Sequence, residues 1–271
     1  MSANIKSLRT RIKSVSSTMQ LTKAMELVAS SKVRRAMKAM EQARGYCDGI
    51  GKMIASLLSV NGVDKSPYMQ KNEEGVTKLI VIAGDRGMAG GYNANIFRTL
   101  RDMDEQVEVI PVGKRATERF EKDFVSSEYF STEEAFRLAK KLCEEFKAGG
   151  LKKVGILGTE YINAMTQIPK LTWILPLEKP EKKEAASRAV FLFEPDEETV
   201  LEQAIPEYVT GIIMGAIKES FACEVASRRN AMETAGKNAK EMIDNLQLQY
   251  NRARQGAITQ EITEIVAGSG D

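Results

Sequence analysis

The sequence predicts an α/β protein in which a long antiparallel coiled coil of N- and C-terminal helices carries an inserted α/β domain. Three observations lead there. All seven prolines lie between Pro67 and Pro206, leaving 66 residues at the start and 65 at the end without one. Both Pro-free ends place apolar residues at helical spacing, and only the middle holds short β-branched runs. Proline inside a helix costs about 3 kcal/mol, so its absence permits two very long helices. The expected division is 1–58 for the first helix, 75–195 for the α/β head and 205–269 for the last helix.

In the first arm the a and d positions of a heptad read Ile5, Leu8, Ile12, Val15, Met19, Thr22, Glu26, Ala29, Val33, Ala36, Met40, Ala43, Cys47, Ile50, Ile54 and Leu57. Fourteen of these sixteen are apolar, which is the pattern of a coiled-coil seam. Thr22 and Glu26 break it. Around them Leu21, Ala24, Met25, Leu27 and Val28 spread apolar surface over other faces. A helix apolar on several sides is normally enclosed on several sides; a local stutter in the coiled coil is the plainer reading.

The last arm begins with a four-residue rhythm through Ile205, Val209, Ile213, Ile217, Phe221 and Val225. It then passes to heptad spacing through Arg228, Met232, Ala235, Ala239, Met242, Leu246 and Ala253, and Ala257, Ile258, Ile262, Ile265 and Val266 extend an apolar stripe. Gly211 and Gly215, four residues apart, predict a close crossing against the head or the first arm. Arms of 55 to 60 residues would make a rod on the order of 80–90 Å long. Isolated helices of this composition are marginal, so each arm needs the other. The middle must return the chain to its start, which makes the pair antiparallel.

In the insert, strands are expected at 78–83, 107–112, 153–157, 171–175 and 190–193. Helices are expected at 93–104, 115–122 and 132–147, the last with Phe136, Leu138, Leu142 and Phe146 inward. This alternation describes a mostly parallel, Rossmann-like sheet covered by helices. Residues 178–188 read as an exposed charged loop. After the first strand, Gly84-Asp85-Arg86-Gly87-Met88-Ala89-Gly90-Gly91 opens a helix. Such loops often cradle phosphate, but this spacing is neither the dinucleotide fingerprint nor a Walker A. The expected role is structural, with Asp85 and Arg86 pairing locally and Asn93 capping the helix.

Composition narrows the function. The chain has 271 residues, 43% apolar and 28% charged, and no run approaches the length of a membrane span. Cys47, Cys143 and Cys223 are odd in number and widely spaced, which argues against a disulfide framework or a zinc site. With no histidine in the chain, Ser-His-Asp and Cys-His catalysis are excluded. No cofactor, metal ligand set or catalytic group is expected. The N-terminal stretch shows no continuous apolar signal segment, so a cytoplasmic protein is expected. Residues 1–45 carry a net charge of +8 and residues 207–271 a net −2, against +2 for the chain. A basic first arm suggests an anionic partner surface.

Three segments together resemble a known family. Residues 14–32 (SVSSTMQLTKAMELVASSK) look like the N-terminal signature of the γ subunit of F-type ATP synthase. Residues 250–266 (YNRARQGAITQEITEIV) resemble its C-terminal signature, and Asp85-Arg86-Gly87-Met88-Ala89-Gly90-Gly91 resembles its Asp-Arg-Gly-Leu-Cys-Gly loop. The resemblance implies a rotor. Helices of that kind form the central shaft inside a ring of alternating α and β subunits, and the head lies against the ε subunit and the membrane-embedded c-subunit ring. Catalysis, with ATP and Mg²⁺, belongs to the β subunits, so this chain would be non-catalytic. It would sit peripherally on the cytoplasmic face of a bacterial plasma membrane, without inserting.

By position, the resemblance implies that Lys23, Met25 and Glu26 face the β-subunit loops, and that Arg228, Gln255, Thr259 and Glu261 also contact the ring. Ordinary solvated helix polarity is the plainer account of each. Ser16, Ser17, Met19 and Gln20 stand where the family often has Lys, Asn, Gln and Lys, and Ala89 replaces the loop cysteine. Two alternatives belong to other classes: a nucleotide-dependent enzyme on the α/β insert, and a nucleic-acid binder using the basic arm. The first lacks phosphate-loop chemistry, and the second lacks aromatics through residue 45.

Overall fold

The computed structural model describes residues 2–58, 66–178 and 197–268. The strand expected at 190–193, and all of the loop at 178–188 beyond its first residue, lie outside them. Helix α1 spans Ser2–Leu58 and helix α5 spans Glu197–Gly268. The last helix therefore starts eight residues before its expected position and takes Pro206 inside it. Proline interrupts only one backbone hydrogen bond, and the helix around it is held by burial: Leu201, Ile205 and Val209 are each under 5% exposed.

The chain divides into two compact units. Met1–Ser30 and Arg228–Asp271 form the smaller one, a helix pair. Thr22 lies beside Gly236, while Ile5, Lys6 and Arg9 share a groove with Tyr250, Ala257 and Glu261, so the two segments run antiparallel. The expected seam is visible in burial. Ile5, Leu8, Ile12, Val15 and Met19 are half-buried, and Thr22 and Ala29 are buried. Thr22 turns its hydroxyl onto the Met19 carbonyl at 2.9 Å, which lets a polar residue stay in the seam. On α5 the register moves by one residue: Ile243 is half-buried, and Met242, expected inward, is 46% exposed. The four-residue spacing between Ala239 and Ile243 keeps the stripe on one face of a helix with 3.6 residues per turn.

Ser31–Ser227 form the larger unit. Its sheet contains β1 (Val76–Ile82), β2 (Glu108–Val112), β3 (Leu151–Tyr161) and β4 (Gln167–Leu175) in the order β2-β1-β3-β4. The first three are parallel and β4 is antiparallel to β3. Between them come α2 (Tyr92–Arg101), α3 (Lys114–Arg119) and α4 (Thr132–Lys147). Strand alternation sorts the two faces. Ile80, Ile82, Val154 and Ile156 pack on Ile54 of α1, Leu142 and Phe146 of α4, and Ile205, Val209, Ile213 and Ile217 of α5. Leu79, Val81 and Leu157 face Ile96 and Phe97 of α2.

Helix α4 begins with a reciprocal cap: the Glu134 amide donates to Ser131 Oγ, and the Ser131 amide donates to Glu134 Oε2. Its buried face is Ala135, Ala139, Leu142, Cys143 and Phe146, whereas Phe136, expected inward, is 37% exposed. The stripe through 135, 139 and 142 places residue 136 about 100° away, at the rim. The Gly211–Gly215 pair crosses the first arm. A methyl group on Gly211 would lie 3.0 Å from the Tyr46 ring, and the Cys47 thiol donates to the Gly211 carbonyl at 3.1 Å.

Candidate functional site

The seven sequence-selected residues fall at separate levels of α1 and α5. Lys23 Nζ lies 3.1 Å from Glu26 Oε2, with Lys23 exposed and Glu26 largely covered. Met25 is half-buried beside them. On the facing helix, Lys237 donates to Glu233 at 2.8 Å and holds that carboxyl below its ordinary range. Arg228 is half-buried, while Gln255, Thr259 and Glu261 are exposed. Thr259 Oγ1 donates to the Gln255 carbonyl at 2.9 Å, and Glu261 shares the groove with Ile5, Lys6 and Arg9. Lys23 and Glu26 thus meet, and Gln255 and Thr259 meet, but the seven do not converge on one point.

What surrounds them is apolar. Leu21, Leu27 and Val28 are 61%, 61% and 59% exposed in the middle of a regular helix. Near the end of α5, Ile258, Ile262, Ile265 and Val266 are 43–70% exposed. Scattered surface leucines are ordinary, but contiguous apolar groups ringed by charge mark a contact surface.

The helices carry little reactive chemistry. Burial pushes the Cys143 and Cys223 thiols up to about 12, which keeps them protonated and poorly nucleophilic at neutral pH. Among the described residues, no group of three or more carboxylate or thiol side chains is placed to hold a metal ion, and no helix is long and apolar enough to cross a membrane.

The glycine loop after β1 is filled from within. Asp85 accepts hydrogen bonds from the Lys114 amide at 3.0 Å, Ser126 Oγ at 2.6 Å, and the Ser127 and Glu128 amides at 3.0 Å each. Partial burial acts to raise its pKa, but these donors outweigh it and hold the carboxyl below its ordinary range. A fixed negative charge beside the loop is thus neutralised by amides of Lys114, Ser127 and Glu128, an arrangement that disfavours an incoming phosphate. The local pairing differs from expectation. Arg86 reaches Glu128 at 3.6 Å, and Asn93 accepts from the Gly84 amide at 2.8 Å while Gly91 occupies the N-cap of α2. A short polar side chain at the second helical position is free to reach back to the end of β1 once Gly91 supplies the cap. Ala89 is buried, and Gly84 packs against the buried Glu224, whose carboxyl carbon would lie 2.7 Å from any Cβ there.

Sequence reasoning missed the groups that tie these helices to the sheet. Glu219 accepts from Arg44 at 2.5 Å and from the Tyr161 amide at 3.0 Å, linking α1, α5 and β3. Ser220 accepts from the Thr159 amide at 3.0 Å, and Tyr92 donates to the Ser220 carbonyl at 3.0 Å. Their partners lie 58 to 175 residues away, so no local pattern announces them.

A family model described as ATP synthase matches residues 4–270. The chain is 40% identical over 282 residues to the ATP synthase gamma chain of Ruminococcus albus, covering 98% of each. The chain belongs to the ATP synthase gamma-chain family. It is 36% identical over 279 residues to the gamma chain of Desulforamulus reducens, covering 98% of each. A third gamma chain, from Acetobacterium woodii and described as sodium ion specific, is 37% identical over 298 residues, covering 99% of each. Among solved structures, a chain in the rotor of the Euglena gracilis mitochondrial ATP synthase superposes with a TM-score of 0.63 at 16% identity, covering 95% of this chain and 100% of that one. A chain in the central stalk and c-ring structure from Tetrahymena thermophila gives 0.61 at 23% identity, covering 79% and 99%. The fold is therefore shared even where little sequence remains in common.

Proposed function

We propose that the chain is the central rotor shaft of an F-type ATP synthase, coupling ion flow through the membrane sector to ATP synthesis or hydrolysis in an α/β ring. The observation that carries this is the set of uncovered apolar side chains on the paired helices, Leu21, Leu27, Val28, Ile258, Ile262 and Ile265. A surrounding protein sleeve would cover them. Gamma-chain membership over nearly the whole length supports reading that sleeve as the α and β subunits.

In this reading Lys23, Met25 and Glu26, with Arg228, Gln255, Thr259 and Glu261, touch the ring. The head meets the ε subunit and the c-subunit ring. The chain is a non-catalytic, peripheral subunit on the cytoplasmic face of a bacterial plasma membrane, and through its rotation it regulates hydrolysis and ion flow. Switching one catalytic site from 1:99 to 99:1 between two states takes about 5.5 kcal/mol of differential contact. Apolar and charged side chains at several levels of a rotating shaft are chemically suited to supply it.

The test is co-expression with the α and β subunits of the same organism, followed by single-molecule imaging of a probe fixed to the head. One copy of this chain per ring and stepwise probe rotation during ATP hydrolysis are expected. A ring that assembles and hydrolyses ATP without retaining the chain overturns the reading.

A further inference from the structure

The glycine loop takes no part in the ring contacts just described, yet it lies where the larger unit grips both long helices. That unit is the stretch Ser31–Ser227, and each of its two ends is tied to the loop region. At one end Lys32 of α1 places Nζ 2.6 Å from Glu128 Oε1, while Arg86 approaches Glu128 Oε2 at 3.6 Å. At the other end Ser227 Oγ of α5 donates to the Ala89 carbonyl at 2.8 Å. Asp85 holds the assembly together by accepting from the amides of Lys114, Ser127 and Glu128 and from Ser126 Oγ.

Lys32 and Glu128 side chains are only 25% and 15% exposed, so salt screens this pair less than an ordinary surface bridge. Apolar packing near this level comes in small patches. Ala36, Met40 and Ala222 form one and Ala89, Tyr92 and Cys223 another, whereas the main core on α1 begins at Ile54. Apolar contact is non-directional and permits sliding, while charged hydrogen bonds fix an angle.

We propose that the loop is a torsional clamp, in which Asp85 positions Glu128 to hold Lys32 while Ala89 of the same loop holds Ser227, so that both helices are locked to the head when they are twisted. Lys32, Glu128 and Ser227 are positioning residues, and the proposal rests on the rotor reading above.

The test uses the assembled complex, stalled without nucleotide, with angular fluctuations read from a probe on the head. Lys32→Gln and Glu128→Gln, both close in size to the native residues, are expected to raise the angular variance at least twofold. Ser227→Ala gives a smaller rise, and Lys32→Arg stays at the native value. Unloaded ATP hydrolysis remains within twofold of native in all of them. Arg101→Gln, which breaks an exposed bridge to Asp102, serves as the control and changes nothing. Native variance in both Lys32→Gln and Glu128→Gln overturns the clamp, as does an equal rise in the control. Failure of the native chain to rotate at all overturns the rotor reading instead.

Discussion

Cys47 and Gly215 face each other across α1 and α5 so closely that a methyl group on Gly215 would lie 2.7 Å from the Cys47 sulfur. Small residues let the helix backbones approach, and the Cys47 thiol completes the contact on the Gly211 carbonyl at 3.1 Å. Gly215→Ala should therefore destabilise the chain by about 1–3 kcal/mol through overpacking, despite alanine's better helix propensity. Adding Cys47→Ala should recover part of that loss. Urea unfolding of the four members of the cycle measures it, and strict additivity of the two changes would contradict the contact.

Two other glycines predict opposite signs. Gly113 has φ +93°, and a Cβ there would fall 1.9 Å from the Ala83 carbonyl oxygen, an impossible approach to backbone. Gly113→Ala should cost more than about 3 kcal/mol or prevent folding. Gly45 lies inside α1 with nothing within 4 Å of its missing side chain. Gly45→Ala should stabilise by about 0.5–1 kcal/mol. Thermal melting of the two variants beside the parent separates them.

Asp85 ties stability to pH. Its folded pKa is held below the unfolded value, so its contribution is complete above the ordinary carboxylate range and is lost as pH falls through the folded pKa. Asp85→Ala also strands its four donors and should destabilise by about 2 kcal/mol near neutrality. The gap between parent and variant should narrow progressively in acid. A gap of constant size from pH 7 to pH 3 would remove the charge from the explanation.

The exposed apolar residues predict a split between folding and assembly. Leu27 is 61% exposed, so Leu27→Ser should change the stability of the free chain by less than about 0.5 kcal/mol. It should nevertheless weaken retention of the chain by the α/β ring. Met25→Lys, placing a second cation beside Lys23 and Glu26, should impair coupling of rotation to ATP synthesis more than assembly itself. Stability curves, co-purification yield and ATP synthesis in reconstituted vesicles distinguish these effects. Normal coupling in Met25→Lys would displace Met25 from the proposed contact.

Helical arms, strand positions and the seam were written locally. Ile5, Leu8, Ile12, Val15 and Met19 keep their heptad places in the folded chain because helical spacing alone decides which side chains share a face. The sheet followed from short β-branched runs, and β1, β2, β3 and β4 overlap the expected segments. Local pattern failed where burial overrode it. Pro206 bounded the Pro-free end and the last helix was expected from 205, yet the core around Leu201, Ile205 and Val209 carries α5 through the proline. Met242 gave way to Ile243 because the seam must follow the partner helix and not a fixed count. The candidate contacts Lys23, Met25, Glu26, Arg228, Gln255, Thr259 and Glu261 came from resemblance, since solvated polarity on a helix has no spacing of its own.

The chain by itself determined two long amphipathic helices around a strand–helix insert, because proline placement, heptad spacing and alternation act within a few residues. Only the tertiary structure decided how those elements are held. Lys32 meets Glu128 across 96 residues, Arg44 meets Glu219 across 175, and Asp85 gathers donors from two separate segments, Lys114 and Ser126–Glu128. Such contacts depend on where folding brings distant groups, and one-dimensional periodicity carries no record of that distance.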